Sequence, residues 1–125
     1  MAHRRNDIVV VVQLTAGWGR FAIRVVGTAS GSPARVCLRA EGEVDLATAP
    51  LLRTALLNAL DSPDIAVLEL DLDGVTFMDA QGVSALLQAV LRAREVGCQV
   101  RLLRPQSYVR RVLAITGVTA VCEVQ

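Results

Sequence analysis

The stretch from residue 65 to residue 97 constrains the fold most tightly, because it joins a buried strand to a strongly amphipathic helix through a short polar turn. Ile65 to Leu72 is an apolar and alternating run, typical of a strand buried largely on both faces. Beyond the turn, five apolar residues recur at helical spacing, namely Val83, Leu86, Leu87, Val90 and Leu91. Gly97 follows where a left-handed C′ glycine belongs, so we predict a helix over about residues 80–96.

The flanking segments extend this unit into an alternation of strands and helices. Thr48 is available as an N-cap, and Pro50 lies in the first turn of a helix that the spacing predicts. The other predictions are strands at 8–14, 20–26, 35–40, 98–103 and 118–124 and helices at 48–60 and 105–116, with Gly117 after the last helix. Because strands alternate with helices from residue 35 onward, we expect an α/β fold with a mostly parallel sheet and right-handed crossovers.

Length and charge limit the number of domains and the class of partner. A chain of 125 residues suits one domain with its own core. With 13 basic and 12 acidic residues it has no long-range field that would gather nucleic acid or anionic membrane, so neither is expected as a partner. The apolar run from Ile8 to Val12 falls far short of the roughly 20 residues of a membrane-spanning helix. The run from Ile8 to Leu14 is β-branched and lacks a convincing small-residue cleavage site, so it makes a weak signal peptide. We therefore expect a cytoplasmic protein that does not insert into a membrane.

The cysteines and the histidine give no indication of a disulfide framework or a metal site. Cys37, Cys98 and Cys122 are an odd number of widely spaced thiols, which fits core positions better than a disulfide framework or a metal site. An alternative is that Cys98 and Cys122 form a redox pair. His3 lies alone near the N-terminus. The sequence therefore predicts neither a metal site nor a cofactor.

Asp79 and Gly82 mark the start of the strong helix. The carboxylate of Asp79 is placed to accept hydrogen bonds from the free N–H groups of the first turn. A glycine in a first turn costs up to about 1 kcal/mol relative to alanine, so Gly82 indicates a close approach by another backbone. The alternative is that Asp79 serves only as a cap and Gly82 is merely tolerated.

Four segments together resemble the STAS domain of bacterial anti-sigma factor antagonists. They are Gly42 to Ala49, Leu68 to Leu72, Val75 to Val83, and Gly117 with Val118, in the order and at the separations of that family. The similarity covers roughly residues 20–124. It implies a single domain over residues 19–125, with a small mixed sheet and helices packed mainly on one face. Residues 1–18 are then an N-terminal extension, either an extra strand or a partly disordered segment.

The resemblance also implies a function. Such a protein binds an anti-sigma factor that is itself a GHKL-type serine kinase and so releases a sigma factor, until phosphorylation reverses the binding. The family's acceptor serine directly follows the aspartate that matches Asp79. Here Ala80 stands at the acceptor position and Gln81 at the next one, although Asp79 and Gly82 match the turn. A methyl group cannot accept a phosphoryl group, so we expect no phosphorylation at Ala80.

A partner-binding surface is expected around this turn. On a helix, Ser84 lies near Ala80 and Gln88 and away from the apolar stripe. The surface formed by Ala80, Gln81, Ser84 and Gln88 carries no charge, which suits an interface. Ser84 is also a minor alternative phosphorylation site, with an ordinary surface serine as the default. In the implied fold, Asp45 and Thr48 lie near the Asp79 turn and complete the surface, although both also fit a purely structural role.

Other functional classes have weaker support in the sequence. An enzyme is not expected, because the chain has no second histidine, nucleophile elbow, Gly-rich phosphate loop or HExxH spacing. STAS-like proteins without an acceptor serine also serve as scaffolds, as subunits of lipid-transport ABC systems, or as binders of a nucleotide or another small ligand. A further alternative is homodimerisation through an exposed strand at residues 8–14.

Overall fold

The computed structural model describes residues 12–15, 20–29 and 34–125, and the side chains from residue 21 onward within those ranges. The strands are β1 (Val12–Thr15), β2 (Arg20–Ala29), β3 (Ala34–Val44), β4 (Ile65–Met78), β5 (Gln99–Leu103) and β6 (Glu123–Val124). The helices are α1 (Ala49–Leu60), α2 (Ala80–Val96) and α3 (Ser107–Ile115), followed by a 3₁₀ turn at Val118–Ala120. Residues 8–11 of the first predicted strand and His3 lie outside the described ranges.

The six strands form one mixed sheet in sequence order. The first three strands are joined by antiparallel pairings, and β3, β4, β5 and β6 are parallel to one another. The predicted parallel sheet from residue 35 onward is therefore confirmed, and the first two strands add antiparallel pairings to it. Because β3, β4 and β5 are parallel, their carboxyl ends and the loops that follow them lie at one edge of the sheet.

The first half of β4 shows why the helices gather mainly on one face of the sheet. Leu68, Leu70 and Leu72 alternate with acidic residues and are completely buried in the core. α1 and α2 pack against each other and against β3 and β4, and their apolar stripes complete the same core. Three leucines of α1 and most of the predicted stripe of α2 are buried, whereas Leu91 is 61% exposed.

The opposite face of the sheet carries ion pairs. Asp71 is 7% exposed and accepts hydrogen bonds from Arg39 (3.0 Å) and from Arg104, which follows β5. Burial disfavours the charged carboxylate, but the hydrogen bonds from Arg104, the Asp73 N–H and Arg39 outweigh it and hold the pKa of Asp71 below its ordinary value. On the same face, Arg101 of β5 forms ion pairs with its neighbours across the sheet, Glu69 of β4 and Glu123 of β6.

β4 is longer than the sequence predicts. We expected the strand to end at Leu72, before Asp73 and Gly74, but it continues to Met78. The pairing with β3 shifts register between Arg39 and Glu41, which is the signature of a β-bulge that takes up an extra residue on β4. Gly74 permits this, since a Cβ there would come within 2.7 Å of the Glu41 Cγ atom. The Asp-Gly pair therefore marks a bulge, not a turn.

The last strand is shorter than the sequence predicts. We expected one strand over residues 118–124, but only Glu123 and Val124 pair with β5. The residues before them form the 3₁₀ turn, whose Val118 is fully buried. α3 ends as expected ahead of Gly117, which adopts a left-handed conformation (φ 87°). Gly97 does the same after α2 (φ 73°), as the sequence predicts.

Candidate docking site

The Asp79 turn connects β4 to α2. Asp79 occupies the N-cap of α2, and its carboxylate accepts hydrogen bonds from the N–H groups of Gln81 (2.8 Å) and Gly82 (3.4 Å). Its own N–H donates to the carbonyl oxygen of Val44 at the end of β3 (3.1 Å). The predicted cap is therefore present, and it ties the start of α2 to the neighbouring strand.

Gly82 fills a position with no room for a side chain. A Cβ at Gly82 would come within 2.6 Å of the Met78 Cγ atom and 2.8 Å of the Val44 Cγ1 atom. The close approach expected at this residue is present, but two buried side chains make it, and the prediction of another backbone was wrong. Gly82 thus allows the first turn of α2 to lie directly on the ends of β3 and β4.

The loop after β3 is held by its own side chains. Asp45 accepts hydrogen bonds from the N–H groups of Ala47 (3.0 Å) and Thr48 (3.2 Å). Thr48 occupies the N-cap position of α1, but its hydroxyl makes no capping bond; it donates to the carbonyl oxygen of Glu43 (2.7 Å) and accepts from the Asp45 N–H (2.9 Å). Thr48 is only 4% exposed, so its side chain holds the loop in shape and does not face a partner.

The first turns of α1 and α2 enclose a shallow groove of about 80 Å³. Its floor includes Ala49 and Ala85, two small residues at the contact between the helices. The walls are Leu46, Pro50 and Arg53 on one side and Gln81, Ser84 and Gln88 on the other. We call this feature the α1–α2 groove. The structure thus brings three of the expected site residues together with five that we did not predict.

The surface beside the groove is open and neutral. Ala80, Gln81, Ser84 and Gln88 are all exposed, and the Ser84 hydroxyl accepts a hydrogen bond from the Gln88 side chain (3.3 Å). Leu46 projects from the Asp45 loop with 73% of its surface exposed. An exposed apolar anchor bordered by uncharged polar groups is typical of a surface that a partner covers.

Leu46, Pro50 and Arg53 were not predicted as site residues, although their spacing contained a signal. They lie at intervals of four and three residues, which places them on one flank of the stripe formed by the buried leucines Leu52, Leu56 and Leu60. Leu46 is also the one large apolar residue of its polar loop. A helical projection begun before the N-cap would have placed these three residues on one face.

The cysteines lie away from this groove. Cys98 and Cys122 both line a cleft of about 270 Å³ between the end of α2 and the last two strands. Burial raises the pKa of each thiol, as it does for Cys37, which disfavours the reactive thiolate. Among the described residues, no cluster of three or more His, Cys, Asp or Glu side chains is arranged to hold a metal ion.

The described helices were compared with the length and hydropathy of a membrane-spanning segment. Within the ranges that the structure describes, none is long and apolar enough to cross a bilayer.

Comparison with solved structures gives the same fold. An anti-sigma factor antagonist from Mycobacterium paratuberculosis is 26% identical, with a TM-score of 0.61 over 82% of this chain and 84% of that one. The antagonist SpoIIAA, a Bacillus cell fate determinant, is 19% identical in its unphosphorylated form, with a TM-score of 0.59 over 78% of this chain and 84% of that one. A SulP transporter STAS domain from Vibrio cholerae is 22% identical, with a TM-score of 0.52 over 66% of each chain.

The sequence-based family comparison is more specific than the shared fold. The model of the STAS domain matches residues 25–125, which include the Asp45 loop, the Asp79 turn and all three helices. This match covers most of the chain and agrees with the resemblance seen in the sequence. The chain therefore belongs to the STAS domain family.

Proposed function

We propose that this protein is an anti-sigma factor antagonist that binds a kinase-type anti-sigma factor and thereby releases a sigma factor. In this proposal it acts in the cytoplasm, by binding and without catalysis. The docking surface consists of the Asp79 turn, the exposed residues Ala80, Gln81, Ser84 and Gln88, and Leu46 of the Asp45 loop. The named antagonists among the similar structures support this class of partner.

The observation that carries the proposal is the construction of the Asp79 turn. Asp79 caps α2 and bonds to Val44, while Gly82 packs against Val44 and Met78. These contacts fix the first turn of α2 and leave its outer side exposed and uncharged. A fixed surface loses little conformational entropy when a partner binds, which favours affinity.

The proposal includes the loss of the usual switch. In the family, phosphorylation of a serine at the position of Ala80 adds a charge of about −1.5 to −2 at the contact surface. Ala80 is exposed, so the position is accessible, but its methyl group cannot accept phosphate. The protein therefore stays competent to bind in the presence of ATP, or it is controlled in another way.

The main competing proposal is a STAS subunit of a transport system or a small-ligand-binding module. The match to the SulP transporter domain reflects the shared fold, as its identity is 22%. The α1–α2 groove, at about 80 Å³, is smaller than the roughly 300 Å³ at which ligand pockets begin. Its small volume and its open rim favour a protein partner.

Calorimetric titration tests the proposal. The GHKL-type anti-sigma factors encoded in the same genome are purified and titrated with the full chain, and an ABC-transporter ATPase from that genome serves as the competing ligand. We expect one anti-sigma factor to bind and the ATPase to give no heat. Binding to the ATPase alone, or to neither class, would overturn the proposal.

A substitution at the centre of the docking surface tests whether the anti-sigma factor binds there. Gln81→Trp places a large side chain over the exposed side of α2 without touching the cap or the core. We expect it to weaken binding by at least tenfold and to leave thermal unfolding unchanged. Arg111→Trp on the exposed side of α3 is the matched control and should bind like the wild type.

A further inference from the structure

Among the described residues, Arg53 is the one charged residue that lines the α1–α2 groove. The other lining residues are apolar or carry neutral amide and hydroxyl groups. Arg53 is partly buried at the groove wall, opposite the side that carries Gln81 and Ser84. The lining of the groove is therefore neutral except at one defined point, where it is positive.

The guanidinium of Arg53 has no ion pair or hydrogen bond within the part of the chain that the structure describes. Most other arginines there are bound: Arg39 to Glu41 and Asp71, for example, and Arg92 to Asp61 and Glu95. The acidic groups of the adjoining loops are engaged, since Asp45 and Asp79 both accept backbone hydrogen bonds. Arg53 thus has five N–H donors available at the groove.

We infer that the partner presents a carboxylate to Arg53 when it docks in the α1–α2 groove. The inference rests on the proposed function and specifies the chemistry of the same surface. An anti-sigma factor segment that fits would place an Asp or Glu side chain opposite Arg53 and an apolar side chain against Leu46. A guanidinium and a carboxylate form two parallel hydrogen bonds, which fix orientation as well as contributing affinity.

Charge complementarity at this point selects among partners. A segment with Lys or Arg at the same place would meet the guanidinium of Arg53 in a groove that offers no counter-charge. A segment with an apolar residue there would leave the guanidinium without a partner as the interface excludes water. Arg53 therefore discriminates between anti-sigma factors that otherwise share a binding mode.

Three substitutions at Arg53 test the inference by calorimetric titration with the anti-sigma factor that binds the wild type. Arg53→Gln removes the charge, Arg53→Glu reverses it, and Arg53→Lys keeps it without the planar fork. We expect dissociation constants raised about tenfold for Gln, more for Glu and only a few-fold for Lys, because a close opposite charge is lost, reversed or kept. The dissociation constant of the wild type should also rise more steeply with salt than that of Arg53→Gln.

Arg111→Glu is the matched control, as Arg111 is exposed on α3 and also has no ion pair among the described residues. It should bind within twofold of the wild type, and circular dichroism should show all variants folded. A partner Asp→Arg or Glu→Arg variant that restores binding to Arg53→Glu would identify the carboxylate. If Arg53→Glu binds as tightly as the wild type while Gln81→Trp does not, the inference fails and the proposed function stands. If the wild type binds no anti-sigma factor, both fail.

Discussion

Gly82 lies so close to Val44 that a Cβ at Gly82 would come within 2.8 Å of the Val44 Cγ1 atom. Val44 is completely buried and also accepts the hydrogen bond from the Asp79 N–H, so it cannot move aside at low cost. The last residue of β3 thus sets the position of the first turn of α2. This contact links the two loops that border the α1–α2 groove.

Gly82→Ala should therefore destabilise the fold and displace the docking turn. The added methyl group overpacks the site, which costs about 1–3 kcal/mol, and the better helix propensity of alanine offsets at most about 1 kcal/mol of that. Urea unfolding should show a net loss in the free energy of unfolding. Ser84→Ala, two residues along on the exposed side of α2, should change it by less than about 0.5 kcal/mol. A Gly82→Ala variant as stable as the wild type would show that Val44 and Met78 can move at little cost to accept the methyl group.

Asp79→Ala should remove the cap of α2. Two N–H groups at Gln81 and Gly82 lose their acceptor, which costs about 1 kcal/mol. Asp79→Ser retains a capping oxygen and should lose less stability. Comparing Asp79→Ala with Asp79→Ser therefore separates the effect of the capping hydrogen bonds from the effect of the negative charge. Equal losses for the two variants in thermal unfolding would contradict the assignment of Asp79 as a cap.

Acid should remove the stabilisation that Asp71 provides. Its pKa in the folded protein lies below the unfolded value of about 3.8, so its contribution is complete above that value and is lost as the pH falls through the folded pKa. Urea unfolding between pH 7 and pH 2 should show the free energy of unfolding decreasing at the acid end. Asp71→Asn should flatten that decrease and lower stability at pH 7, because Arg39 and Arg104 lose their carboxylate.

The control for this measurement is Asp64→Asn. Asp64 is exposed and has no ion pair within the described ranges. Asparagine tolerates its left-handed backbone conformation (φ 59°) as aspartate does. The free energy of unfolding of this variant should decrease at low pH as it does in the wild type. If Asp64→Asn flattens that decrease as much as Asp71→Asn does, Asp71 is not the cause of it.

Cys98 and Cys122 should react slowly with a thiol reagent at neutral pH. Burial raises the pKa of both thiols, so little thiolate is present in the folded protein. Reaction with Ellman's reagent should be slow in buffer and fast in urea. Rapid reaction in buffer, or mass spectrometric detection of a Cys98–Cys122 disulfide under mild oxidation, would instead support the alternative of a redox pair.

The sequence was most informative where a local pattern has a single structural solution. The α2 stripe, the Asp79 cap, the left-handed Gly97 and the end of α3 before Gly117 all follow from rules that act within a few residues. They were predicted because helix periodicity and capping depend little on tertiary context.

The predictions that failed depend on contacts between distant segments. β4 continues through Gly74, which pairs with Glu41 on the neighbouring strand, and no local rule shows that pairing. Thr48 is buried because its hydroxyl bonds to Glu43, so its N-cap position did not reveal its role. Likewise, Arg53 joins Gln81 and Ser84 only because α1 packs against α2.

Release of a sigma factor in the presence of ATP tests the central claim most directly. A labelled sigma factor is bound to its anti-sigma factor kinase with Mg²⁺ and ATP, and fluorescence anisotropy follows its release when the wild type or Ala80→Ser is added. We predict that the wild type releases the sigma factor and keeps it free, whereas Ala80→Ser releases it only until the kinase phosphorylates the new hydroxyl. Failure of the wild type to release any sigma factor, or phosphate found within residues 76–88 of the wild type, would contradict the account.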